Sequence, residues 1–336
     1  QYHLPRCLRS PLVLRDNKLK KSCFKKLYEK GQGNYTISLK QPRKIFISTE
    51  LINMLRGYTL IISAASCWAL IGIFSFVAYG QGIQPMEVAF WRAVLSWVFF
   101  AVQAVMRKET QLVKKDIPLL VLFGIFGVSA FYVSYLFAIK EGGAAFASVL
   151  LYTAPAWVVA CSFFIFREKL TISKITAVLM VVAGVLLISR AGGNSNSPTA
   201  LGFVAVFSGL AAGFCYSLYY TMGKYFTSRY SSANLFFYVL PVGALGILPF
   251  VEFRDKSATA WLALLAVSFI STFIANYCYY QGLKYLEAGR ASIVATIEPV
   301  VAATFAYLIL GEYFTSLGYV GAAMIISAVL LTIYRT

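Results

Sequence analysis

The chain has 336 residues, of which 59% are hydrophobic and 13% are charged, and its formal net charge is +17. The charged share is about half that of a soluble domain, and the mean hydropathy is +0.72. This composition excludes an ordinary soluble protein and predicts an all-α integral membrane protein. Residues 1–53 contribute +9 of the charge, from 12 basic and 3 acidic residues. The rest lies in loops between apolar segments, which indicates membrane orientation rather than nucleic-acid binding.

A basic tail occupies residues 1–56, which are rich in Lys and Arg and have no sustained hydrophobic period. The stretch "MLRGYTLIISAAS", which begins at Met54, resembles an ordinary protein start. The preceding residues are interpreted as upstream sequence outside the native product, as a transit peptide, or as a cytoplasmic tail that contacts anionic lipid. Because the tail has no membrane-spanning feature, we expect a chain that starts at Met54 to insert and function normally.

Ten apolar segments follow the tail, and most have the roughly 17–25 residues that a helix needs to cross a hydrocarbon core. They are residues 58–80, 85–106, 117–139, 143–166, 172–189, 200–222, 232–250, 260–281, 288–310 and 316–334. A backbone inside a bilayer must satisfy its own hydrogen bonds, and no alternating strand pattern competes. The sequence therefore predicts ten transmembrane helices in contact with the lipid bilayer.

The basic residues of the loops predict how these helices are oriented. If the N-terminus is cytoplasmic, the cytoplasmic loops carry eleven Lys and Arg residues and the opposite loops carry four. The eleven are Arg107, Lys108, Lys114, Lys115, Arg167, Lys169, Lys174, Lys224, Arg229, Lys284 and Arg290, and the four are Lys140, Arg190, Arg254 and Lys256. Positive loops are retained on the cytoplasmic side. We therefore expect a multi-pass protein of the cell's inner (plasma) membrane with both termini in the cytoplasm.

One passage occurs twice in the chain. "ASVLLYTAP" ends at Pro155 and "ASIVATIEP" ends at Pro299, and a Glu follows thirteen residues later in each copy, at Glu168 and Glu312. All of these positions differ by one offset (299 − 155 = 144 and 312 − 168 = 144). With five predicted helices per copy, an odd number, the second copy enters the membrane from the opposite side. The sequence thus predicts two inverted five-helix repeats, at 57–190 and 198–335, a construction typical of secondary transporters.

The repeated passages resemble a known family. "APAWVVACSFFIFREKLT" and "EPVVAATFAYLILGEYFT" are similar to the paired Pro…Glu segments of the EamA-type branch of the drug/metabolite transporter superfamily, and "CWALIGI" and "PMEVAFWR" are similar to its first-half pattern. The resemblance covers roughly residues 58–334. It implies ten helices in two repeats and export of small metabolites or drugs through a central cavity. One departure is Arg167, because the second copy has Gly311 there and the family usually has Gly.

Two prolines lie near the centres of the fourth and ninth predicted helices, and we expect both Pro155 and Pro299 to kink them, since each removes a backbone donor. Polar side chains precede each proline on the same helical face. They are Ser148 and Tyr152 in the first copy and Ser292 and Thr296 in the second. We predict that these four line a substrate cavity, with a pair of packing kinks as the alternative.

Two charged residues are predicted at depth in the membrane. Glu298 lies about 15 Å into the ninth helix and Arg92 about 10 Å into the second, at 1.5 Å per residue. An arginine keeps its charge and needs a partner. We expect Arg92 and Glu298 to form a buried pair, directly or through cavity water. Glu87 is the other candidate partner of Arg92. Because Glu87 lies near the membrane interface, its carboxylate is alternatively solvated by water. Glu298 is also interpreted as a carrier of coupling protons or as a structural residue.

Aromatic and polar residues are dense in the sixth and eighth helices. Trp68, Tyr216, Asn276 and Tyr280 are further predicted cavity residues, together with Glu298. The alternative is an interfacial belt, which fits Tyr219, Tyr220, Tyr279 and Tyr280. The sequence predicts no cofactor, no metal site and no enzyme, since the sole His is His3 and neither a CxxC pattern nor a catalytic triad occurs.

The sequence therefore predicts an exporter of small neutral or zwitterionic metabolites, such as amino acids, that works by alternating access. Efflux of cationic drugs is the first alternative, and Glu298 is the residue that would serve it. A carrier of organic phosphates would need several deep cations, and only Arg92 is predicted at depth. A membrane scaffold or receptor is the alternative without transport. Whether the chain forms a homodimer stays open.

Overall fold

Almost all of the described chain is helical. The computed structural model describes residues 40–192, 203–310 and 316–334, and no strand occurs within these ranges. The chain divides after residue 51, and its second unit, residues 52–336, is compact. The second unit contains the repeats predicted from the sequence. Its first half ends at residue 192 and its second half begins at residue 203, on either side of undescribed residues.

The helices follow the apolar segments closely. In the first half they are α1 (Lys40–Ala69), α2 (Ile71–Gly80), α3 (Pro85–Met106), α4 (Ile117–Leu122), α5 (Phe131–Leu151), α6 (Ala154–Phe166) and α7 (Ile172–Gly192). In the second half they are α8 (Phe203–Phe226), α9 (Ser232–Ile247), α10 (Ala258–Ser268), α11 (Ala275–Gly282), α12 (Ala288–Ala295), α13 (Glu298–Leu310) and α14 (Ser316–Tyr334). Short 3-10 turns at Lys114–Asp116 and Leu248–Phe250 adjoin α4 and α9.

Eight helical runs in the described residues are long and apolar enough to cross a membrane. They are Leu51–Gly80, Pro85–Met106, Lys114–Gly143, Phe146–Phe166, Phe203–Phe226, Ser232–Phe250, Ala258–Gly282 and Ser316–Tyr334. The predicted fifth span is a shorter apolar helix, Ile172–Ile188, and the predicted ninth span is divided between α12 and α13. The protein is thus an all-helical, multi-pass membrane protein.

Both halves interrupt a helix at the same position of the repeat. α5 ends at Leu151 and α12 ends at Ala295, with 295 − 151 = 144. The next helices begin at Ala154 and Glu298, again 144 apart. Pro155 and Pro299 are the second residues of α6 and α13, where a missing N–H costs no helical hydrogen bond. Each interruption is short and lies directly before a proline, where the prediction placed a kink: Tyr152 and Thr153 separate α5 from α6.

A second pair of irregular segments follows the same offset. The chain forms a π-helix at Phe123–Ala130, before α5, and another at Phe269–Ile274, before α11. Their last residues are also 144 apart (274 − 130 = 144). The sequence predicts regular helix at both places, because hydrophobic periodicity does not distinguish a widened turn from an ordinary one. Such widened turns are frequent at functional sites.

The last helix of each half meets its counterpart at a glycine crossing. A Cβ atom added to Gly184 of α7 would lie 2.7 Å from the carbonyl oxygen of Gly321, and one added to Gly321 of α14 would lie 2.5 Å from the carbonyl oxygen of Gly184. Two backbones approach this closely in a membrane only where side chains are absent. The crossing joins the two halves.

Arg167 is expected to weaken the fold through its backbone conformation. It ends α6 with φ 55° and ψ 33°, the left-handed region, where a side chain costs roughly 1–2 kcal/mol. Arg167→Gly removes this strain but gives the unfolded chain more freedom, so we expect a net gain of about 0.5–1 kcal/mol. Thermal unfolding of the purified protein in detergent would measure it. Gly143→Ala is the matched control with the opposite sign, since Gly143 has φ 82°. A lowered unfolding midpoint for Arg167→Gly would contradict the prediction.

Candidate functional site

A cavity of about 620 Å³ lies inside the second unit, between its two halves. Polar and aromatic side chains from both halves line it, among them Trp68, Arg92, Tyr135, Ser148, Tyr216, Asn276 and Glu298. Cavities of roughly 300–1,000 Å³ hold small metabolites and drug-sized molecules. The space is therefore large enough for a small-molecule ligand.

The irregular parts of the backbone form part of the cavity wall. Tyr152 lies at the break between α5 and α6, and Glu298 and Pro299 begin α13; all three line the cavity. Gly127 and Thr272, from the two π-helical segments, line it as well. Non-helical backbone at membrane depth is tolerated where it lines a cavity. The repeated breaks and widened turns thus converge on one site.

The Arg92 side chain is held by groups other than a carboxylate. Its Nε donates a hydrogen bond to Oγ1 of Thr272 at 3.2 Å, and its guanidinium carbon lies 5.7 Å from the centre of the Tyr132 ring. Within the described part of the chain, no carboxylate oxygen lies within 4 Å of Arg92. The predicted direct contact with Glu298 is therefore wrong, because Thr272 holds the guanidinium in its place. Both side chains line the cavity, so a pairing through cavity contents stays a prediction.

Glu298 is the first residue of α13 and half-buried in the cavity wall. Negative charge at a helix N-terminus is favoured by the helix dipole. No Lys or Arg nitrogen lies within 4 Å of this carboxylate among the described residues. A carboxylate in such a place attracts a cation or a hydrogen-bond donor that enters the cavity.

Glu87, the other carboxylate predicted near Arg92, is bound elsewhere. Its side chain is 0% exposed and forms an ion pair with Nζ of Lys256 at 2.5 Å. Its oxygens also accept hydrogen bonds from Nε1 of Trp91 and the backbone N–H of Arg254, both at 3.3 Å. Solvation of Glu87 and its pairing with Arg92 are both wrong, since the loop before α10 folds over it. The cluster connects the two halves.

Six of the predicted cavity side chains lie in the cavity wall: Trp68, Ser148, Tyr152, Tyr216, Asn276 and Glu298. The three that do not are Tyr280, Ser292 and Thr296, and their predicted position is wrong. Their hydroxyls donate to the backbone oxygens of Tyr219, Gly289 and Ile293, at 3.1, 2.8 and 2.5 Å. The three side chains are buried in the helical core, at 1%, 0% and 3% exposed, and the sequence pattern does not show that backbone oxygens hold their hydroxyls there.

The sequence reasoning missed an aromatic part of the cavity wall. Tyr132 and Tyr135, at the start of α5, line the cavity, and the hydroxyls of Tyr135 and Ser148 share a hydrogen bond of 3.2 Å. The run "FYVSY" in this helix was the available signal. The interfacial belt proposed as an alternative is wrong for Tyr279 and Tyr280, which are 0% and 1% exposed and pack in the helical core.

A second cluster of charged side chains connects the two halves. Glu168 follows α6, and its carboxylate accepts hydrogen bonds from the N–H groups of Ala288 (2.9 Å) and Gly289 (3.4 Å) at the start of α12. Nζ of Lys174 pairs with Glu168 at 3.2 Å and with Glu287 at 2.9 Å. One buried lysine thus connects carboxylates from both halves. The repeat counterpart of Glu168, Glu312, and its neighbour Gly311 lie outside the described residues.

Known proteins resemble this chain over most of its length. The model of the EamA-like transporter family matches residues 55–190 and 203–334. An uncharacterized transporter of Archaeoglobus fulgidus is 25% identical over 84% of this chain and all of its own length. The transporter YetK of Bacillus subtilis, also uncharacterized, is 25% identical over 82% of this chain and 86% of its own.

Two further relatives bear on function and fold. A probable terminal-alkyne amino-acid exporter of Streptantibioticus cattleyicolor is 25% identical over 66% of this chain and 75% of its own. A protein of known crystal structure superposes with a TM-score of 0.71 at 19% identity, covering 82% of this chain and 95% of its own. That likeness concerns the fold alone. The family match covers both repeats, and the chain belongs to the EamA-like transporter family of membrane transporters.

Proposed function

We propose that this protein exports small neutral or zwitterionic metabolites, with amino acids as the leading class, across the inner membrane by alternating access. The observation that carries the proposal is the cavity of about 620 Å³, which both halves line at matched interruptions of their helices. A relative of 25% identity that is named a probable amino-acid exporter supports the same class. The proposal needs only a small-molecule substrate and the bilayer as partners, and no cofactor.

The proposed architecture has ten transmembrane helices in two inverted repeats, at 57–190 and 198–335. The equal offset of 144 between the helix ends Leu151 and Ala295 and between the helix starts Ala154 and Glu298 supports it. So does the family model, whose two matches fall on the two halves. Two opposed copies around one cavity supply the two conformations that alternating access requires.

The orientation can be tested at exposed loop residues. We expect a single cysteine at Lys169 to react with a membrane-impermeant thiol reagent from the cytoplasmic side, and one at Glu252 to react from the other side, in a cysteine-free background. Both native side chains are exposed and lie in loops, and three predicted spans separate the two loops. Labelling of both cysteines from the same side would exclude the inverted repeat.

Transport itself is tested by efflux from loaded cells or vesicles. Amino acids, purines and cationic dyes would be screened with and without a proton gradient. We expect saturable export of one or more amino acids that an empty membrane lacks. Export of dyes alone would replace the proposal with drug efflux, and no export of any compound would favour a scaffold or receptor.

Efflux of cationic drugs remains the second candidate because of one observation. Glu298 has no cationic partner within 4 Å in the described structure, and aromatic rings line the same cavity. A carboxylate and aromatic faces are the groups that bind an organic cation. Arg92 opposes this candidate, since a fixed positive charge in the same cavity repels a cation.

A further inference from the structure

We propose, on the basis of the export function proposed above, that the cavity binds a zwitterion in one fixed orientation. Arg92 binds its carboxylate, and Glu298 together with Asn276 binds its ammonium group. The sequence predicted that the two charges neutralise each other. The geometry instead points to two separate poles in one cavity, each completed by the substrate.

The positive pole is the guanidinium of Arg92. Thr272 accepts its Nε–H, and Oγ1 of Thr272 in turn donates to the carbonyl oxygen of Val267 at 3.0 Å, which fixes the direction of the side chain. Among the described residues no carboxylate lies within 4 Å of Arg92. A guanidinium stays charged, and its terminal N–H groups match a carboxylate in a two-point contact. An oriented cation in a low-polarity cavity therefore selects an anionic group.

The negative pole is formed by two acceptors. Asn276 is 2% exposed, and its side-chain oxygen has no hydrogen-bond partner in the described part of the chain. Glu298 lacks a cationic partner within 4 Å over the same residues. A buried acceptor without a donor is destabilising. An ammonium group carries three N–H donors and satisfies both side chains at once.

Both poles adjoin one helical run and line one cavity. Thr272, which holds Arg92, and Asn276, which belongs to the negative pole, are four residues apart on one helical run and both line the cavity. The carboxylate and ammonium of an α-amino acid are separated by one carbon, and the proposal places both groups of one molecule between the two poles of this cavity.

The test uses the full-length protein in lipid nanodiscs and matched probes that differ only in charge. One set is leucine, its amine analogue 3-methylbutylamine and its acid analogue 4-methylpentanoate. A second set is phenylalanine, phenethylamine and 3-phenylpropanoate. Dissociation constants come from titration calorimetry. In one or both sets we expect the zwitterion to bind at least tenfold more tightly than either analogue.

The variants should separate the two poles. With Arg92→Gln we expect the affinity for the zwitterion to fall at least tenfold, whereas the affinity for the amine does not fall, because Arg92 repels a cation. With Glu298→Gln we expect the affinity for the zwitterion to fall at least tenfold, whereas the affinity for the acid does not fall. Asn276→Ala should act in the same direction as Glu298→Gln, more weakly. Lys140→Gln and Glu141→Gln are the controls, because they remove the same charges at exposed positions.

Should Arg92→Gln fail to fold, Thr272→Val keeps the charge and removes its anchor, and we expect it to weaken the zwitterion more than the amine. Equal binding of the zwitterion and an analogue, equal losses for all probes, or no binding of any probe would each overturn the assignment. Counterflow in vesicles separates this result from the proposed function. Amino-acid transport without charge selection would contradict the two-pole assignment and leave the export function in place. Charge-selective binding without transport would contradict the export function and leave the two-pole assignment in place.

Discussion

Glu87→Gln is expected to destabilise the folded protein by about 3–5 kcal/mol, the usual effect of leaving one charge of a buried ion pair without its partner. The Glu87 side chain is 0% exposed and that of Lys256 8%, and their charged atoms are 2.5 Å apart. Nζ of Lys256 also lies 5.4 Å from the centre of the Trp91 ring. Without the carboxylate, the ammonium remains enclosed by aromatic rings.

Chemical denaturation of the purified protein in detergent measures this loss. The double variant Glu87→Gln/Lys256→Met should be less destabilised than the sum of the two single variants, because a neutral pair leaves no charge behind. Glu252→Gln is the matched control, because its side chain is 80% exposed and its ion pair with Arg254 is long, at 3.8 Å. We expect this variant to change the free energy of unfolding by less than about 0.5 kcal/mol. Additive losses in the double variant would show that the two charges do not act as a pair.

Lys174→Met is expected to open the cavity at the end where Glu168 contacts α12. Lys174 is 5% exposed, and it holds Glu168 of the first half and Glu287, which directly precedes α12, of the second. Without it, two carboxylates face each other across the boundary between the halves. We expect a shift of at least tenfold, about 1.4 kcal/mol, toward the conformation that is open at this end.

The shift can be followed with a cysteine at Ser148, which lines the cavity. Its reaction with a thiol reagent, applied on the side that the basic loops assign to the cytoplasm, should be at least tenfold faster in Lys174→Met. Lys169→Met is the control, since it removes the same charge at an exposed position nearby. Unchanged labelling, with transport also unchanged, would show that this cluster does not hold the cavity closed.

The same cluster predicts a dependence on pH. Burial acts to raise the pKa of the Glu287 carboxyl, but the hydrogen bond and charge of Lys174, with the charges of Arg290 and Lys224, hold that pKa below its ordinary value. The pairing therefore contributes stability above the ordinary pKa of a glutamate. That contribution is lost as the pH falls through the lowered pKa, so acid should open the same end that Lys174→Met opens.

Local pattern was sufficient to predict an all-helical chain and its family, whose model matches twice. Of the ten predicted spans, eight are long, apolar helical runs in the described residues. The apolar segments fix where helices form, because the bilayer leaves few other ways to satisfy the backbone. The offset of 144 between Pro155 and Pro299 predicted where both halves interrupt their structure. Trp68, Tyr216 and Asn276 were also recognised as cavity residues, since polar and large aromatic groups in the middle of apolar helices are conspicuous.

Partnerships between side chains were decided only by the tertiary structure. Arg92 contacts Thr272 rather than Glu298, and Glu87 contacts Lys256, because distant segments of the chain meet there. Such partners are 180 and 169 residues apart, and no local period encodes them. The position of Thr272 depends further on the π-helical turn at Phe269–Ile274, which rotates the following residues relative to a regular helix. Hydrophobic pattern determines that a segment becomes a helix, whereas the contact of two helices determines which charges meet.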